Sequence, residues 1–335
     1  MNLIKSRQLA LAGLVLWATG CGGSADGGTG PTATPTEISA TARAYLNEVI
    51  GVMQTNSIRR LTIDWPKLRT DVFTQAGAAQ YTNETYPAIR TALARLGDGH
   101  SSYTAANGTV LFVQTHTCTA SGASLPTNIP QNIGYVKVGA FSGTTAQGTA
   151  FANGIQDRIR SADRDDLVGW IVDLRGNGGG NMWPMVAGLG PVLGDGLLGW
   201  FIDPVGSESP WSYHDGASWT GTLALQRVDI PYTLKSPNPK VAVLVDNGVA
   251  SSGEATLIAF RQRGNTRSFG VASCGLSTAN SGFVLSDGAL LNLTVALMAD
   301  RTKTTYGDQV QPDEPVSDPS AVVDHAITWL RTANP

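Results

Sequence analysis

The spacing of apolar residues divides the chain into two differently patterned regions. From residue 37 to residue 96, apolar positions recur every three or four residues, which is the period of amphipathic helices. Asp64 with Pro66 marks the start of a second helix, and Gly97 follows the end of a third. The pattern therefore predicts a small helical region over residues 37–100.

Beyond this region, short apolar runs alternate with helical patterns. Three runs have the length and composition of buried strands, and they lie at residues 133–139, 168–174 and 241–246. Two further runs flank Asp287 and Gly288, which predicts a hairpin. Because alternating strands and helices are typical of a parallel sheet covered by helices, residues 101–335 are predicted to form an α/β core domain.

One long stretch fits neither pattern. Residues 190–236 are rich in glycine, tryptophan, proline and aspartate and show no clear period. We interpret this stretch as an irregular insertion that lines a cleft.

The amino terminus has the features of an export signal. A basic start at Lys5 and Arg7 precedes an apolar run that is too short to span a bilayer with ease. Residues 1–20 resemble a bacterial lipoprotein signal peptide with lipid added to Cys21. The alternative is an ordinary secretory signal followed by an incidental cysteine. Residues 21–36 have the composition of a flexible tether.

These features predict a protein of the bacterial cell envelope that a lipid on Cys21 holds to a membrane, facing the periplasm or the surface. Gly22 stands where an aspartate often marks inner-membrane retention, which favours the outer membrane. Export also places the other cysteines in an oxidising compartment. Cys118 and Cys274 are candidates for one disulfide, with two buried free thiols as the alternative.

Composition narrows the classes of partner. The formal net charge of -3 gives no electrostatic basis for binding nucleic acid. The four histidines are scattered and no His-Glu-x-x-His motif occurs, so the sequence does not support a metal site. No cofactor is expected.

A glycine-rich turn, DLRGNGGGN over residues 173–181, lies between a predicted strand and a predicted helix. Backbone N–H groups in such a turn, beside the positive end of a helix dipole, can hold a phosphate or an oxyanion. The turn lacks the Gly-Lys-Ser/Thr ending of a P-loop, and Asn181 replaces the third glycine of the dinucleotide fingerprint. It is therefore either an oxyanion-binding turn or a tight turn without chemistry.

A second corner between a strand and a helix has the sequence ASSGEA, residues 250–255. Ser251 and Glu254 fit a capping box, in which serine caps the helix and glutamate reaches back to the serine N–H. The same position suits a nucleophile, because the next N–H group at the helix start stabilises an oxyanion. The motif alone supports both interpretations.

The order of the motifs resembles the tail-specific, or C-terminal processing, serine peptidase family. The motifs are LGDGH, YVKVGAF, DLRGNGGGN, VLVDNGVASSGEA, SDGALLNLT and VQPDEPV. The resemblance covers most of residues 37–320. It implies a crotonase-like spiral of β-α-β units, and hydrolysis of a peptide or unfolded protein through an acyl-enzyme on Ser251. Backbone N–H groups of Gly178 or Gly179, and of Ser252, are then expected to form the oxyanion hole.

The sequence departs from the family in two places. About thirty residues separate His100 from Ile133, which is too few for the PDZ domain that most members carry there. The usual base is a lysine downstream of the serine, and Leu276 stands in its position. Since leucine cannot take a proton, a serine–lysine dyad is excluded unless another lysine folds in.

His100 lies in LGDGHSSY, which resembles the Asp-x-His turn of the tricorn-core branch of the family, where a histidine from this turn is the base. Histidine needs no large pKa shift to serve near neutral pH, so we expect His100 to deprotonate Ser251. The other histidines, His116, His214 and His325, match no motif. A third group should orient the imidazole, and the candidates are Asp98, Glu254 and Asp308.

Two rival interpretations remain. One is a non-catalytic binding module on the same fold, because retinoid-binding repeats resemble this family. Trp200, Trp211 and Trp219 could then line an apolar pocket. The other is a structural lipoprotein that holds partners at the envelope, although the glycine turn is superfluous for that role.

Overall fold

The structure, a computed structural model, describes residues 36–122 and 125–332. The predicted signal peptide, the lipidation site Cys21 and residues 21–35 of the predicted tether lie outside the described residues. Within the described part of the chain, no helix is long and apolar enough to cross a membrane.

The described residues form helices and strands in two sheets. The helices are α1 (Ala40–Asn56), α2 (Trp65–Ala76), α3 (Tyr86–Leu96), α4 (Thr145–Ala162), α5 (Met182–Leu193), α6 (Ser252–Ala259) and α7 (Val322–Arg331). The strands are β1 (Ser102–Thr104), β2 (Val110–Phe112), β3 (Gly134–Lys137), β4 (Trp170–Asp173), β5 (Gly196–Ile202), β6 (Glu208–His214), β7 (Ala217–Thr220), β8 (Leu223–Arg227), β9 (Val241–Val245), β10 (Thr266–Gly270), β11 (Thr278–Val284), β12 (Leu290–Ala299) and β13 (Glu314–Pro315). The fold is therefore of the mixed α/β class.

The helical region follows the predicted start and stop signals. Ser39 caps α1 by accepting a hydrogen bond from the N–H group of Ala42 at 3.1 Å. Asp64 caps α2 in the same way, through the N–H group of Lys67 at 3.0 Å. Gly97 ends α3 with φ of 65°, a left-handed conformation that glycine adopts at little cost. The predicted helices of this region are confirmed.

The smaller sheet has five strands in the order β13-β10-β9-β4-β3, and all of its pairings are parallel. Alternate strand residues pack on opposite faces. Trp170, Val172 and Val243 face a core formed with α4, α5 and α6, whereas Ile171 and Leu244 face α7. The predicted parallel sheet covered by helices is confirmed, and the structure places helices on both of its faces.

The larger sheet has eight strands. Its main order is β2-β1-β12-β5-β6-β7-β8, and β11 pairs with the other side of β12. The predicted hairpin is the antiparallel pair β11–β12, with Asp287 and Gly288 in its turn. Helices α1–α3 share a hydrophobic core with β1, β2 and β12, to which Leu291 and Leu293 contribute fully buried side chains.

The interpretation of residues 190–236 as an irregular insertion was wrong. Much of this stretch forms β5, β6, β7 and β8, which are joined as successive antiparallel pairs. Each strand has only four to seven residues, and register shifts interrupt two of the three pairings. Pairing with neighbouring strands stabilises such short segments, and that contribution leaves no regular period in the sequence.

Candidate active site

The sheet topology brings the two corner motifs together. The glycine turn follows β4 and the serine corner follows β9, and these strands are parallel neighbours. Both corners therefore lie at the carboxyl edge of the smaller sheet, where ligands bind in open α/β folds. Asp246 links them, because Oδ1 accepts hydrogen bonds from the N–H groups of Gly176 at 2.8 Å and Gly248 at 3.0 Å.

Ser251 has a strained backbone. Its φ of 52° and ψ of -117° lie in a region that residues with a side chain rarely adopt. Such strain persists only where the surroundings hold it, and it turns a side chain outward at a sharp corner between a strand and a helix. The Ser251 side chain lines a large cavity as a result.

Glu254 holds this corner in place. Its buried carboxylate accepts hydrogen bonds from the N–H groups of Ser251 and Leu276, both at 2.8 Å. It also accepts from the hydroxyl of Ser273 at 2.6 Å and the N–H group of Gly275 at 2.9 Å. Burial raises the pKa of Glu254 to about 7, although these four hydrogen bonds act in the opposite direction.

The imidazole of His100 lies directly beside the serine. Its Nε2 atom is 3.0 Å from Oγ of Ser251, and its Nδ1 atom is 2.7 Å from Oγ1 of Thr278. With the proton on Nδ1 donated to Thr278, the lone pair on Nε2 can accept the serine proton. Serine, histidine and threonine therefore form a continuous hydrogen-bonded chain.

Local contacts fix the turn that carries His100. Asp98 accepts hydrogen bonds from the N–H groups of His100 at 3.0 Å and Ser101 at 2.8 Å. The side-chain amide of Asn280 donates to the carbonyl of His100 at 3.0 Å. Residues of β11 therefore hold both the backbone and the ring of the histidine.

The protonation of His100 is strongly affected by its surroundings. Burial lowers its pKa to about 4; the Asp98 carboxylate opposes this shift and the neighbouring His116 adds to it. The imidazole is therefore neutral at physiological pH, which is the form a general base requires.

None of the three carboxylates predicted to orient the imidazole contacts it among the described residues. Glu254 binds the serine corner, and Asp98 caps its own turn. Asp308 accepts a hydrogen bond from the N–H group of Gln309 at 2.8 Å. The expectation of an acidic third group is corrected, because the hydroxyl of Thr278 fills that position.

Among the described residues, no other lysine replaces the base that Leu276 cannot supply. Each lysine in the described ranges has a hydrogen-bond or ion-pair partner away from Ser251. Ion pairs join Lys67 to Asp71, Lys235 to Asp165, and Lys303 to Glu208. Lys137 donates to the backbone carbonyl of Arg175, and Lys240 donates to that of Trp329.

The glycine turn presents a different N–H group from those predicted. The N–H group of Gly178 donates to Gly176 O at 3.0 Å, and that of Gly179 donates to Oδ1 of Asn177 at 3.1 Å. Both are used within the turn, so the expectation for Gly178 and Gly179 is corrected. The N–H groups of Gly180 and Ser252 have no acceptor among the described residues, and both residues line the cavity beside Ser251.

The side chains of Ser251 and His100 open into a cavity of about 1000 Å³. The larger sheet forms much of its wall, including Phe201 of β5 and Ser281 of β11. The cavity also reaches Thr55 at the end of α1. Its volume is at the upper end of the range for binding sites and is sufficient for several residues of an extended peptide.

The tryptophans proposed for an apolar pocket do not line this cavity. Trp211 is fully buried in the core of the protein. The ring of Trp200 lies under Lys303, with Nζ 4.5 Å from the ring centre. Trp219 is half-buried and donates to His214 O. These positions remove the main support for the apolar binding module.

The remaining candidates are two cysteines and three histidines, and not all of them lie near the site. Cys118 and Cys274 form a disulfide with Cα atoms 5.0 Å apart. His116 occupies a loop near His100, whereas His214 and His325 are exposed elsewhere. Sequence reasoning missed Thr278 and Asn280; their only signal is their position just after the segment that replaces the usual lysine loop.

The chain is similar in sequence to several known proteins. The sequence pattern of peptidase family S41 matches residues 132–316, more than half of the chain. A nisin-resistance protein of Lactococcus lactis subsp. lactis is 29% identical over 276 residues, which cover 80% of each chain. The carboxy-terminal processing protease CtpA of Bacillus subtilis (strain 168) is 29% identical over 165 residues, covering 49% of this chain and 30% of the relative.

A solved structure shares the fold across both regions. A lipoprotein from Streptococcus agalactiae superposes with a TM-score of 0.68 at 20% sequence identity. The match covers 88% of this chain and 97% of that one. The helical region and the two sheets therefore occur together in another protein.

Proposed function

Because the chain belongs to peptidase family S41, we propose that it hydrolyses peptide bonds through an acyl-enzyme on Ser251, with His100 as the general base. Membership of the family makes the protein a serine-type peptidase. The observation that carries the assignment of residues is the 3.0 Å contact between Nε2 of His100 and Oγ of Ser251. We further interpret the core as a crotonase-like spiral of β-α-β units.

In the first step, Oγ of Ser251 attacks the carbonyl carbon of the substrate while its proton passes to Nε2 of His100. The Nδ1–H group donates to Oγ1 of Thr278, which keeps the imidazole in the correct tautomer. A bond forms between Oγ and the carbonyl carbon, and the carbonyl oxygen becomes an oxyanion. The N–H groups of Gly180 and Ser252 stabilise this charge.

In the following steps His100 gives up the proton that it took from Ser251, and the acyl-enzyme is then hydrolysed. The imidazolium donates its proton to the leaving amine as the C–N bond breaks, which leaves an ester on Ser251. A water molecule then loses a proton to His100 and attacks the ester. The tetrahedral intermediate that forms then collapses. His100 returns the proton to Oγ of Ser251, and the new carboxylate is released.

The sequence and the similar proteins support a proposal about the environment of the protein. We propose that the mature chain is a cell-envelope protein anchored by lipid on Cys21, with the outer membrane favoured. The similarity to a streptococcal lipoprotein supports the envelope assignment.

The substrate is proposed to be an extended peptide or an unfolded protein. The nisin-resistance protein matches this chain over 80% of both sequences, whereas the processing protease matches only 49% of this chain. This difference favours nisin, the compound in the relative's name, as the first defined substrate to test beside an unfolded protein.

The test uses the chain from Thr36 with reduced casein and with nisin, and mass spectrometry identifies the fragments. We expect cleavage by the unaltered protein and a loss of at least a hundredfold in Ser251→Ala and His100→Ala. His214→Ala is the matched control, since this exposed histidine lies at the end of β6. Cleavage that survives in His100→Ala would place the base elsewhere.

A further inference from the structure

The chain between β2 and β3 includes a segment without regular secondary structure, residues 115–121, which we call the strap. It begins beside His100, and it passes over the loops that hold Ser251. The mechanism above assigns no task to it. Its contacts nevertheless reach every catalytic segment.

The first half of the strap packs on the histidine turn. Gly99 has φ of 62°, and a Cβ atom placed there would collide with Oγ1 of Thr115 and lie 3.2 Å from Nδ1 of His116. Thr115 and His116 therefore lie against the residue that precedes His100. This part of the strap therefore packs against the turn that carries His100.

The second half of the strap is tied to the loop that follows β9. The N–H group of Thr119 donates to Oδ1 of Asn247 at 3.0 Å. That of Ser121 donates to Oδ2 of Asp246 at 2.7 Å. Between these two residues, Ala120 packs closely on Gly248. A Cβ atom added to Gly248 would lie 2.7 Å from the Cα atom of Ala120.

A disulfide joins the middle of the strap to the loop that supports both catalytic side chains. Cys118 is exposed and Cys274 is buried at 3% exposure. The residue after Cys274, Gly275, donates to Glu254, which in turn accepts from Ser251 N–H. The same loop continues into Thr278, the partner of His100.

We propose that the Cys118–Cys274 disulfide is a positioning element that clamps the strap over the histidine turn, so that the peptidase is fully active only when this bond is formed. The inference rests on the proposed function. The bond closes a loop across a separation of 156 residues, and the strap has no helix or sheet to hold it otherwise. Reduction by a dithiol would yield two cysteine thiols and leave the reductant as a disulfide.

Loosening the strap would have a specific effect on His100. Burial keeps the pKa of this histidine low, and the groups that also act on it are Asp98 of its own turn and His116 of the strap. An open strap admits water and moves His116 away. The pKa of His100 would then rise toward its ordinary value of 6.5.

The experiment compares the oxidised protein with dithiothreitol-treated protein and with Cys118→Ser, using the cleavage assay across pH 4 to 8. We expect kcat to fall at least tenfold and the acid limb of kcat/KM to move upward by one or more pH units. Thr119→Ala is the matched control, because its side chain is exposed and only its backbone N–H binds Asn247. Circular dichroism and thermal unfolding check that the reduced protein remains folded.

If reduction unfolds the protein, His116→Ala in the oxidised protein carries the test, since it leaves the disulfide intact and removes the ring from the histidine turn. An upward shift of the acid limb supports the proposal. Unchanged kcat and an unchanged acid limb, with free thiols verified by mass spectrometry, would overturn it. Absence of cleavage by the oxidised protein would instead contradict the proposed function.

Discussion

The hydroxyl oxygen of Thr278 lies 2.7 Å from Nδ1 of His100, in the position that an aspartate holds in the serine–histidine–aspartate triad. A neutral hydroxyl can fix the orientation of the ring, but it provides no negative charge to stabilise the imidazolium. This difference explains why burial dominates the protonation of His100 here.

Thr278→Val removes the hydrogen-bond partner of Nδ1 with little change in side-chain volume. We expect kcat to fall by about ten- to a hundredfold, since a neutral hydrogen bond contributes about 1 kcal/mol and the ring also loses its orientation. Thr278→Ser keeps the hydroxyl and should retain most of the activity. Equal activity in the valine and serine variants would show that the contact has no catalytic role.

The pH dependence of kcat/KM should report the low pKa of His100. The base works only when neutral, so activity is lost as pH falls through the pKa in the free enzyme. Because that pKa is about 4, protonation of His100 should cause little loss of activity between pH 7 and about pH 5. Initial rates at low substrate concentration measure this limb, and a midpoint near 6.5 would contradict the buried imidazole.

Glu254→Gln tests the clamp on the serine corner. A glutamine side chain has one acceptor oxygen for the four groups that Glu254 binds, so at least one buried N–H or O–H group loses its partner. We expect the free energy of unfolding in urea to fall by about 2–3 kcal/mol and kcat to fall with it. The control is Gln147→Ala, which removes the equivalent residue of the exposed capping box on α4 and should cost about 1 kcal/mol or less.

Protonation of Glu254 also gives the stability a characteristic pH dependence. Its pKa is raised from 4.5 to about 7 in the folded state, so the folded protein binds the proton more tightly than the unfolded chain does. This contribution is complete below pH 4.5 and is lost as pH rises toward 7. His100 acts oppositely, since its lowered pKa costs stability as pH falls from 6.5 toward 4. Urea titrations at several pH values should show the Glu254 contribution vanish in Glu254→Gln.

Two adjacent glycines offer a sharp test of the glycine turn. Gly179 has φ of 99°, and a Cβ atom there would lie 2.7 Å from Ala250 O and 2.9 Å from Cβ of Ser251. Gly179→Ala should therefore displace the serine corner and abolish activity. At Gly178 a Cβ atom would meet nothing within 4 Å, so Gly178→Ala should keep the activity. Similar rates in the two variants would contradict the close packing of this turn on Ser251.

Local signals in the sequence predicted the elements that local contacts determine. Helix caps such as Asp64 and the hairpin at Gly288 depend on residues that are close in sequence, and each is present in the structure. The parallel strands were predicted from their short apolar runs, which mark buried strands whatever their partners are. Residues 190–236 were misread because β5 to β8 gain their stability from pairing, which a single stretch of sequence does not display.

The residues of the candidate site also fall into two groups, those that local motifs could predict and those that only the fold reveals. Ser251 and His100 could be named because short motifs surround them, and their contact brings together residues 151 apart in sequence. Thr278 could not be named, since a threonine in a strand has many structural uses and only the fold aligns it with Nδ1. The available N–H group of Gly180 could not be predicted either. Hydrogen bonds within the turn determine which glycine N–H groups remain without an acceptor among the described residues.

The shared core of the helical region and the larger sheet has a consequence for engineering the protein. Helices α1–α3 cover Leu291 and Leu293 of β12, and the turn after α1 donates from Ile58 N–H to Thr294 O at 2.8 Å. A shortened chain that began at residue 101 would lose His100, the proposed base, and expose an apolar sheet face. The helices therefore cannot be exchanged like a modular specificity domain, and new substrate preferences must be sought in the cavity wall that they share with β11 and β12.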